Sequence, residues 1–343
     1  MATSIYNGIS TYVVYAEDSA FGTAGTPTGS DFVDKVTSVS GTVTNNSIRS
    51  QGIGEGRNAT AAVNGILDVS GSMEWEFTDP SFLQYCFIGA KSGAGSAADP
   101  YEIQEADQLG YSAGQVNTLT LEVGHEQGAN DDVLTYDGVA VNSFTFNANM
   151  GEIVKCTADW MARTVTSSTT TVTYAGPTNR PFTFIDGSMT VGSDTVGILQ
   201  SFSLTCANNI QTFRGLGSRL IKQPVAGIRR YDFTVAVKLA YDDTASVLSG
   251  LEARGLVFSG VTTATTPLDG AESTAVAVSF DLIEGAVAGD RIVNFDFENA
   301  YFESYSEPVT LEDGSIEISI SGFALAGLTD GAVKVPCRWW TLA

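Results

Sequence analysis

Asn45-Asn46-Ser47-Ile48-Arg49-Ser50-Gln51-Gly52-Ile53-Gly54 returns in register as Asn208-Asn209-Ile210-Gln211-Thr212-Phe213-Arg214-Gly215-Leu216-Gly217. A constant offset of about 163 residues extends the match both ways, setting Ser38 on Ser201 and Asp79 on Asp242 without a gap. Each copy shows the same layout: a long alternating run, a Gly-x-Gly break, a second alternating run and a short helical piece. The chain therefore reads as one domain written twice. The expected division is an N-terminal arm over 1–35, a first domain over 36–166, a linker over 167–181 and a second domain over 182–343.

The alternation sets the fold class. Val36, Ser38, Ser40, Thr42 and Thr44 stand against Val39, Gly41 and Val43, a period of two that predicts a strand. A second strand over 59–77 completes a hairpin longer than strands usually run. Arms of that length outrun one domain's core, so the tip projects and needs a partner to cover it. The second copy repeats the hairpin over 197–213 and 224–241. Asp79-Pro80 predicts a helix with Asp as N-cap and Pro at its first position, ended by Gly89, and its counterpart spans 243–254. Residues 91–114 read as a polar loop, followed by strands at 116–124, 132–137, 139–149 and 152–164, with Asp137-Gly138 as a hairpin turn. Later strands fall at 256–262, 273–284, 290–305 and 314–326. The fold class expected is all-β with minor α, two tandem β-sandwich or half-barrel domains, each with a projecting hairpin and one flanking helix.

Composition agrees. Hydrophobic residues make up 43% of the chain, enough for packed cores. The net charge of -22 would repel nucleic acid and anionic membranes over long range. That acidity fits a protein that stays near DNA without holding it, or one adapted to a salty host. Cys86, Cys156, Cys206 and Cys337 lie far apart and read as buried free thiols. The N-terminus has no basic and apolar regions of a signal peptide, and no apolar run is long enough to span a membrane.

No stretch predicts catalysis, a cofactor or a metal. Gly110-Tyr111-Ser112-Ala113-Gly114 has the spacing of a nucleophile elbow but sits in a Gly-rich loop, with the one His of the chain, His125, soon after it. His125-Glu126 lacks the second His of a zinc protease, and Asp131, Asp132 and Asp137 lack the calcium-loop pattern. Arg214, Arg219, Lys222, Arg229 and Arg230 cluster at the second hairpin tip, and the first tip carries Arg49 and Arg57. These are solvated tips, a nucleic-acid patch lacking stacking aromatics, or basic tips that meet acidic surface on a neighbouring subunit.

Tyr12-Val13-Val14-Tyr15 followed by Glu17-Asp18-Ser19-Ala20-Phe21-Gly22-Thr23, the Gly-rich hairpin tip between Ile48 and Asn58, and Val69-Ser70-Gly71-Ser72-Met73-Glu74-Trp75-Glu76-Phe77 leading into Asp79-Pro80 together carry a family likeness. In these features the chain resembles the major tail tube proteins of long-tailed viruses, siphovirus-like bacteriophages or archaeal tailed viruses. The resemblance implies a structural virion protein of the tail tube, assembled in the host cytoplasm. Rings of six such domains stack into a hollow tube that conveys viral DNA during ejection. A duplicated chain implies trimeric rings with pseudo-sixfold symmetry. The implied partners are further copies of the chain and, at the tube ends, the tape measure, tail terminator and distal tail proteins. DNA passes without specific binding, and no membrane is involved. The inter-subunit candidates are Arg49, Ile53, Arg57, Arg214, Leu216, Arg219 and Lys222 at the hairpin tips. Thr118, Thr120, Glu122, Ser279 and Asp281 are the lumen-facing candidates. The competing expectation is a tail- or surface-associated β-protein that binds a cell-surface glycan. It requires clustered exposed aromatics, which the sequence does not display.

Overall fold

The computed structural model describes residues 11–33, 35–50, 61–105, 116–125, 131–176, 178–192, 194–238, 275–306, 317–325, 327–330 and 333–342. The helix expected over 243–254 and the strand over 256–262 lie outside the described residues. The first half runs β1 (Thr11–Glu17), β2 (Lys35–Asn45), β3 (Ile48–Ser50), β4 (Ala61–Val63), β5 (Leu67–Glu76), β6 (Gly89–Ser92), β7 (Tyr101–Glu105), β8 (Leu119–His125), β9 (Asp132–Asn149), β10 (Lys155–Ala162) and β11 (Thr164–Ser168). The second half runs β12 (Gly187–Val191), β13 (Asp194–Thr195), β14 (Leu199–Ala207), β15 (Gln211–Phe213), β16 (Gln223–Val225), β17 (Arg230–Lys238), β18 (Val276–Ile283), β19 (Arg291–Ser306), β20 (Glu317–Ala324), β21 (Leu328–Asp330), β22 (Val333–Val335) and β23 (Cys337–Thr341). The all-β class is as expected.

One antiparallel layer organises the molecule. Its order is β2-β5-β10-β9-β14-β17-β20-β19, with the β9–β14 pair joining the halves. The long strands β9 and β19 leave this layer at their N-terminal ends and enter a second one. There β9 pairs with β8 and β11, and β1 pairs with β8. Likewise β19 pairs with β18 and β23, and β12 pairs with β18. The path β2-β5-β10-β9-β8-β1 is thus matched strand for strand by β14-β17-β20-β19-β18-β12. The irregularities match too. Thr37 is the extra residue between Val36 and Ser38 opposite β5, as Gln200 is between Leu199 and Ser201 opposite β17. Asn142 is the extra residue of β9 opposite β10, as Glu303 is of β19 opposite β20. Each such bulge bends its strand and re-aims the chain.

Between the layers lies a main apolar cluster that both halves share, with a smaller one of Ile88, Val116, Ala140 and Ile210 apart from it. Phe202 and Phe280 stack at 4.2 Å and an interplanar angle of 7°, and Phe146 meets Phe280 at 5.7 Å and Phe295 at 4.8 Å. Phe87, from the first half, reaches Phe144, Tyr231 and Phe295. Full burial stabilises by about 1.5–3 kcal/mol per large apolar side chain, so this shared cluster binds the halves into one body.

Several local expectations change. Residues 11–17, expected to open an arm lying outside the core, are part of it: β1 is paired along its length with β8, and Val13 and Val14 are buried. The reason is the unbroken apolar run Tyr12-Val13-Val14-Tyr15, which is covered on both faces; Tyr12 stacks on Tyr174. The segment expected to be a linker is packed, with β11 on β9 and the Ala175 N–H donating to the Gly29 carbonyl at 2.9 Å. Asp137-Gly138 is no hairpin turn. β9 runs through it as one strand, and Gly138, at a φ of 65°, kinks the chain where it passes between layers. The expected loop after Gly89 contains the β6–β7 hairpin. Asp79 does cap a turn, accepting from the Ser81 N–H at 2.7 Å, but the helical piece is short: Pro80–Phe82 and Leu83–Cys86. All four cysteines are buried free thiols.

Phe280→Ala is expected to destabilise the unassembled chain by about 3–5 kcal/mol in denaturant unfolding, because it empties the centre of the aromatic cluster. Ile185→Ala, at a side chain 77% exposed, is expected to change it by less than about 0.5 kcal/mol.

Candidate functional site

The most extensive feature available for function is the outer face of the main layer. Alternation sends Val69, Met73, Trp75, Phe144, Phe146, Phe202, Leu204, Phe233, Val235, Ile318 and Ile320 inward. The opposite parity carries hydroxyls, amides and a few charges. Ser40 and Ser72 meet at 3.0 Å, Ser143 donates to Asp159 at 2.9 Å, and Thr145 and Thr205 meet at 3.2 Å. Ser203 donates to Asn147 at 2.7 Å, and Ser304 and Ser321 meet at 2.6 Å. These contacts run across the sheet from strand to strand, β9–β14 included. Two cations on this face are paired with carboxylates: Lys155 with Glu74 at 3.2 Å and Arg230 with Asp232 at 3.1 Å. The result is a polar wall whose hydroxyls bond to one another and on which Lys155 and Arg230 are matched by carboxylates.

The sequence reasoning placed the wall elsewhere. Thr118 precedes β8, Thr120 and Glu122 are on β8, and Ser279 and Asp281 are on β18, all in the second layer. Thr118, Thr120 and Glu122 are buried, which no residue lining an open surface can be. Thr120 donates to Asp18 at 2.7 Å, and Tyr12 donates to Glu122 at 2.8 Å. Ser279 donates to Asp281 at 3.0 Å, and Asn294 also bonds Asp281. Burial pushes the carboxyls of Asp18, Glu122 and Asp281 above their ordinary range, against the hydrogen bonds that pull them down. These groups knit the second layer together. The polar face of the main layer is marked in the sequence by the alternation of 36–44 and 315–321. β8 and β18 alternate too, but Asp18 and Gly25 lie over Thr120 of β8, and the Val172 N–H donates to the Tyr12 hydroxyl that holds Glu122.

The hairpins β3–β4 and β15–β16 extend the β2–β5 and β14–β17 pairs. Arg49 is exposed; Ile53 and Arg57 lie outside the described residues. Leu216 is fully exposed and Lys222 is exposed. Arg214 and Arg219 are engaged within the chain. Arg214 pairs with Asp68 and donates to the Leu67 carbonyl at 3.2 Å. Arg219 donates to the Gly65 carbonyl at 2.7 Å and to Asn45 at 2.8 Å. So these two basic groups dock the second hairpin on the base of the first and do not wait for a neighbour. Arg229 is also internal, donating to Asn208 at 3.2 Å and to the Tyr231 hydroxyl at 3.3 Å, beside Glu105 at 3.9 Å. Asn208 in turn donates to the Cys86 and Val141 carbonyls at 2.8 and 3.0 Å, which ties β14 to the first half.

Two edges end the main layer. Among the described residues β2 pairs with β5 alone, and positions 304–306 of β19 pair with β20 alone. Val43, Ile48, Val63 and Ile66 stand exposed along the first hairpin, and Phe213, Leu216 and Ile228 along the second. The candidates for chemistry do not assemble. Ser112 lies outside the described residues, and His125 is hydrogen-bonded through Nδ1 to the Thr11 hydroxyl at 2.8 Å. Among the described residues no group of three or more His, Cys, Asp or Glu could hold a metal ion, and no helix is long and apolar enough to cross a membrane.

A family model described as phage tail tube protein matches residues 8–298. No curated protein matches the chain significantly.

The raised carboxyl of Glu122 gives a signed prediction. Its neutral form is favoured in the fold, so its cost is felt at neutral pH and is relieved as pH falls through the folded value toward the unfolded one. Glu122→Gln, which keeps an oxygen for the Tyr12 hydroxyl, is expected to raise Tm at pH 7. The gain over the parent should shrink in thermal scans as pH is lowered to the ordinary carboxyl range.

Proposed function

The chain belongs to the phage tail tube protein family, and from that premise we propose that it is the major tail tube subunit, polymerising as stacked rings into a hollow conduit for viral DNA. As a family member it is a structural protein of the viral tail that self-assembles with other tail proteins. The proposal adds the architecture. Each half supplies four strands of the main layer to a ring, so six repeats need three chains, and the ring is a trimer with pseudo-sixfold symmetry. The two halves are then copies of one ancestral domain, a reading supported by their matched strand paths and matched bulges. Curving the layer into a closed ring also removes the exposed edges of β2 and β19, which would otherwise invite uncontrolled pairing.

The observation that carries the reading is the polar wall. A conduit for a polyanion needs a surface that water wets and phosphates do not grip. Each unpaired Lys or Arg that met a phosphate would add affinity and slow passage. Here hydroxyls satisfy one another, and Lys155 and Arg230 are already held by carboxylates. The overall charge of -22 adds long-range repulsion. Rings stack head to tail, through the exposed apolar residues of the hairpins, because a heterologous contact along the axis stays open and builds a filament. The tape measure, tail terminator and distal tail proteins cap or fill the two ends, DNA passes unbound, and assembly occurs in the host cytoplasm.

Electron microscopy of the purified, concentrated protein tests this. The expected result is hollow tubes with a regular axial repeat and three chains in each ring. Dispersed monomers at every salt concentration, or six chains per ring, would reject it. Thr145→Lys with Ser203→Lys, which adds two unpaired cations to the wall, is expected to leave the tubes intact. It should make them retain short duplex DNA at low salt and release it at high salt, where the unmodified tubes retain none.

A further inference from the structure

A cavity of about 200 Å³ lies where the segment following β1 meets the entry to β8 and strand β16 of the second half. We propose that this cavity binds a hard divalent cation of the calcium class, with Asp18 as its anchoring ligand. The inference uses residues other than those of the tube reading and does not depend on it.

Asp18 is 9% exposed and lines the cavity. Its Oδ1 is satisfied: the Thr120 hydroxyl donates to it at 2.7 Å and the Gly25 N–H at 3.1 Å. Its Oδ2 is buried and has no hydrogen-bond partner among the described residues. The Thr118 hydroxyl stands close enough to favour the charged carboxylate, but it does not bond to Oδ2. The Asp18 N–H donates to the Thr118 carbonyl at 3.0 Å, so the residue is fixed by its backbone as well as its side chain. A carboxylate oxygen held out of water without a partner costs more than a neutral group in the same place. Burial, and to a lesser extent the charge of Asp137, push the Asp18 carboxyl above its ordinary range. A cation in the cavity meets the unpartnered oxygen and offsets both effects.

The rest of the lining has the chemistry such an ion takes. Its polar members are Glu17, Ser19, Asn117, Thr118 and Gln223, all with side-chain oxygens, and no Lys, Arg or His lines it. Arg163 donates to the Gly22 carbonyl at 3.4 Å and pairs with Asp137 at 3.2 Å, outside the lining. Asn117 donates through its amide nitrogen to the Gly89 carbonyl at 3.0 Å, so its amide oxygen is the group left to act as an acceptor. Soft metals seek thiolate or imidazole and find neither here. Among hard ions, calcium takes about six to eight oxygens in a flexible geometry, whereas magnesium demands a near-ideal octahedron. The site is not a closed cage of three or more acidic or imidazole side chains. It has two carboxylates, and neutral oxygens and water complete the shell, which places the affinity at about 10⁻⁴–10⁻³ M. Gln223 belongs to β16, so an ion held by Asp18 and Gln223 ties the second hairpin to the first half.

The test is a titration of the full chain with calcium chloride at constant ionic strength, after a chelator has stripped it of metal. Calcium at about 10 mM is expected to raise Tm by about 2–4 °C, and calorimetric binding is expected to saturate at one ion per chain. Bound calcium is also expected to slow amide hydrogen exchange at 18–25 and 223–225. Exchange there that calcium leaves unaltered places the ion elsewhere and overturns the assignment. Asp18→Asn, which keeps an oxygen for Thr120 and Gly25, is expected to lose both the Tm shift and the saturable binding. No shift in the unmodified chain overturns the site. So does an equal shift in Asp18→Asn, the mark of diffuse screening of an acidic surface. Should Asp18→Asn fail to fold, Glu17→Gln decides. At an exposed side chain it is expected to leave Tm in chelator unchanged and to weaken calcium binding by about fivefold, and unchanged binding overturns the proposal.

Discussion

The antiparallel pairing of β9 with β14, Ser143 to Asn149 against Ala207 to Ser201, is the constraint on which the rest of the structure depends. It makes one sheet out of two halves. It puts Phe146 and Phe202 side by side over Phe280, so that the apolar cluster cannot be divided at the segment between the halves. It also carries the hydroxyl contacts of the wall from one half to the other without a break. A single strand pair therefore sets the core, the open face and the spacing between repeats.

The layer has two faces with different physical tasks. Inward, side chains are large, aromatic and almost fully buried, and they hold the layers at the spacing of packed sheets. Outward, they are short and polar and bond to neighbours across the strands. Ser, Thr and Asn do this well, since a hydroxyl or amide can donate and accept at once and needs no counter-ion. Two of the cations on this face are partnered, Lys155 by Glu74 and Arg230 by Asp232. Elsewhere charge is spent inside the chain. Arg214 and Arg219 fasten one hairpin to the base of the other, and Arg229 lies beside Glu105, Tyr231 and Asn208. The geometry spreads a basic stretch that looks like one patch in the sequence over three separate places.

Much of the fold was legible before the structure. The hairpins, the Asp79 cap and the Ile318 and Ile320 parity follow from local rules of period, turn and cap, and they hold. The misreadings share a cause. Gly138 is a turn signal by composition, yet β9 passes through it with a kink, because β11 pairs with the residues before it and β10 with those after it. Tyr12 to Tyr15 looked peripheral because it lies near the chain's start, yet it is buried under 172–175 and β8. For the functional surface, Thr120 and Ser203 are equivalent in the sequence, each a hydroxyl in an alternating strand. Thr120 is buried beneath Asp18, and Ser203 lies on the wall.

By itself, the sequence determined the class of the fold and the alternation of its strands. Those properties are written in periodicity and composition, which depend on neighbours along the chain. Only the tertiary structure decided which polar parity faces open space, which arginines are already engaged, and which strands end the sheet. Each of these depends on what a distant segment meets: Asp18 and Gly25 lie over Thr120 of β8, the second hairpin rests on the first, and β14 lies beside β9, while β2 pairs with β5 alone among the described residues. Coverage is a relation between segments far apart in the chain, and no local pattern of residues encodes it.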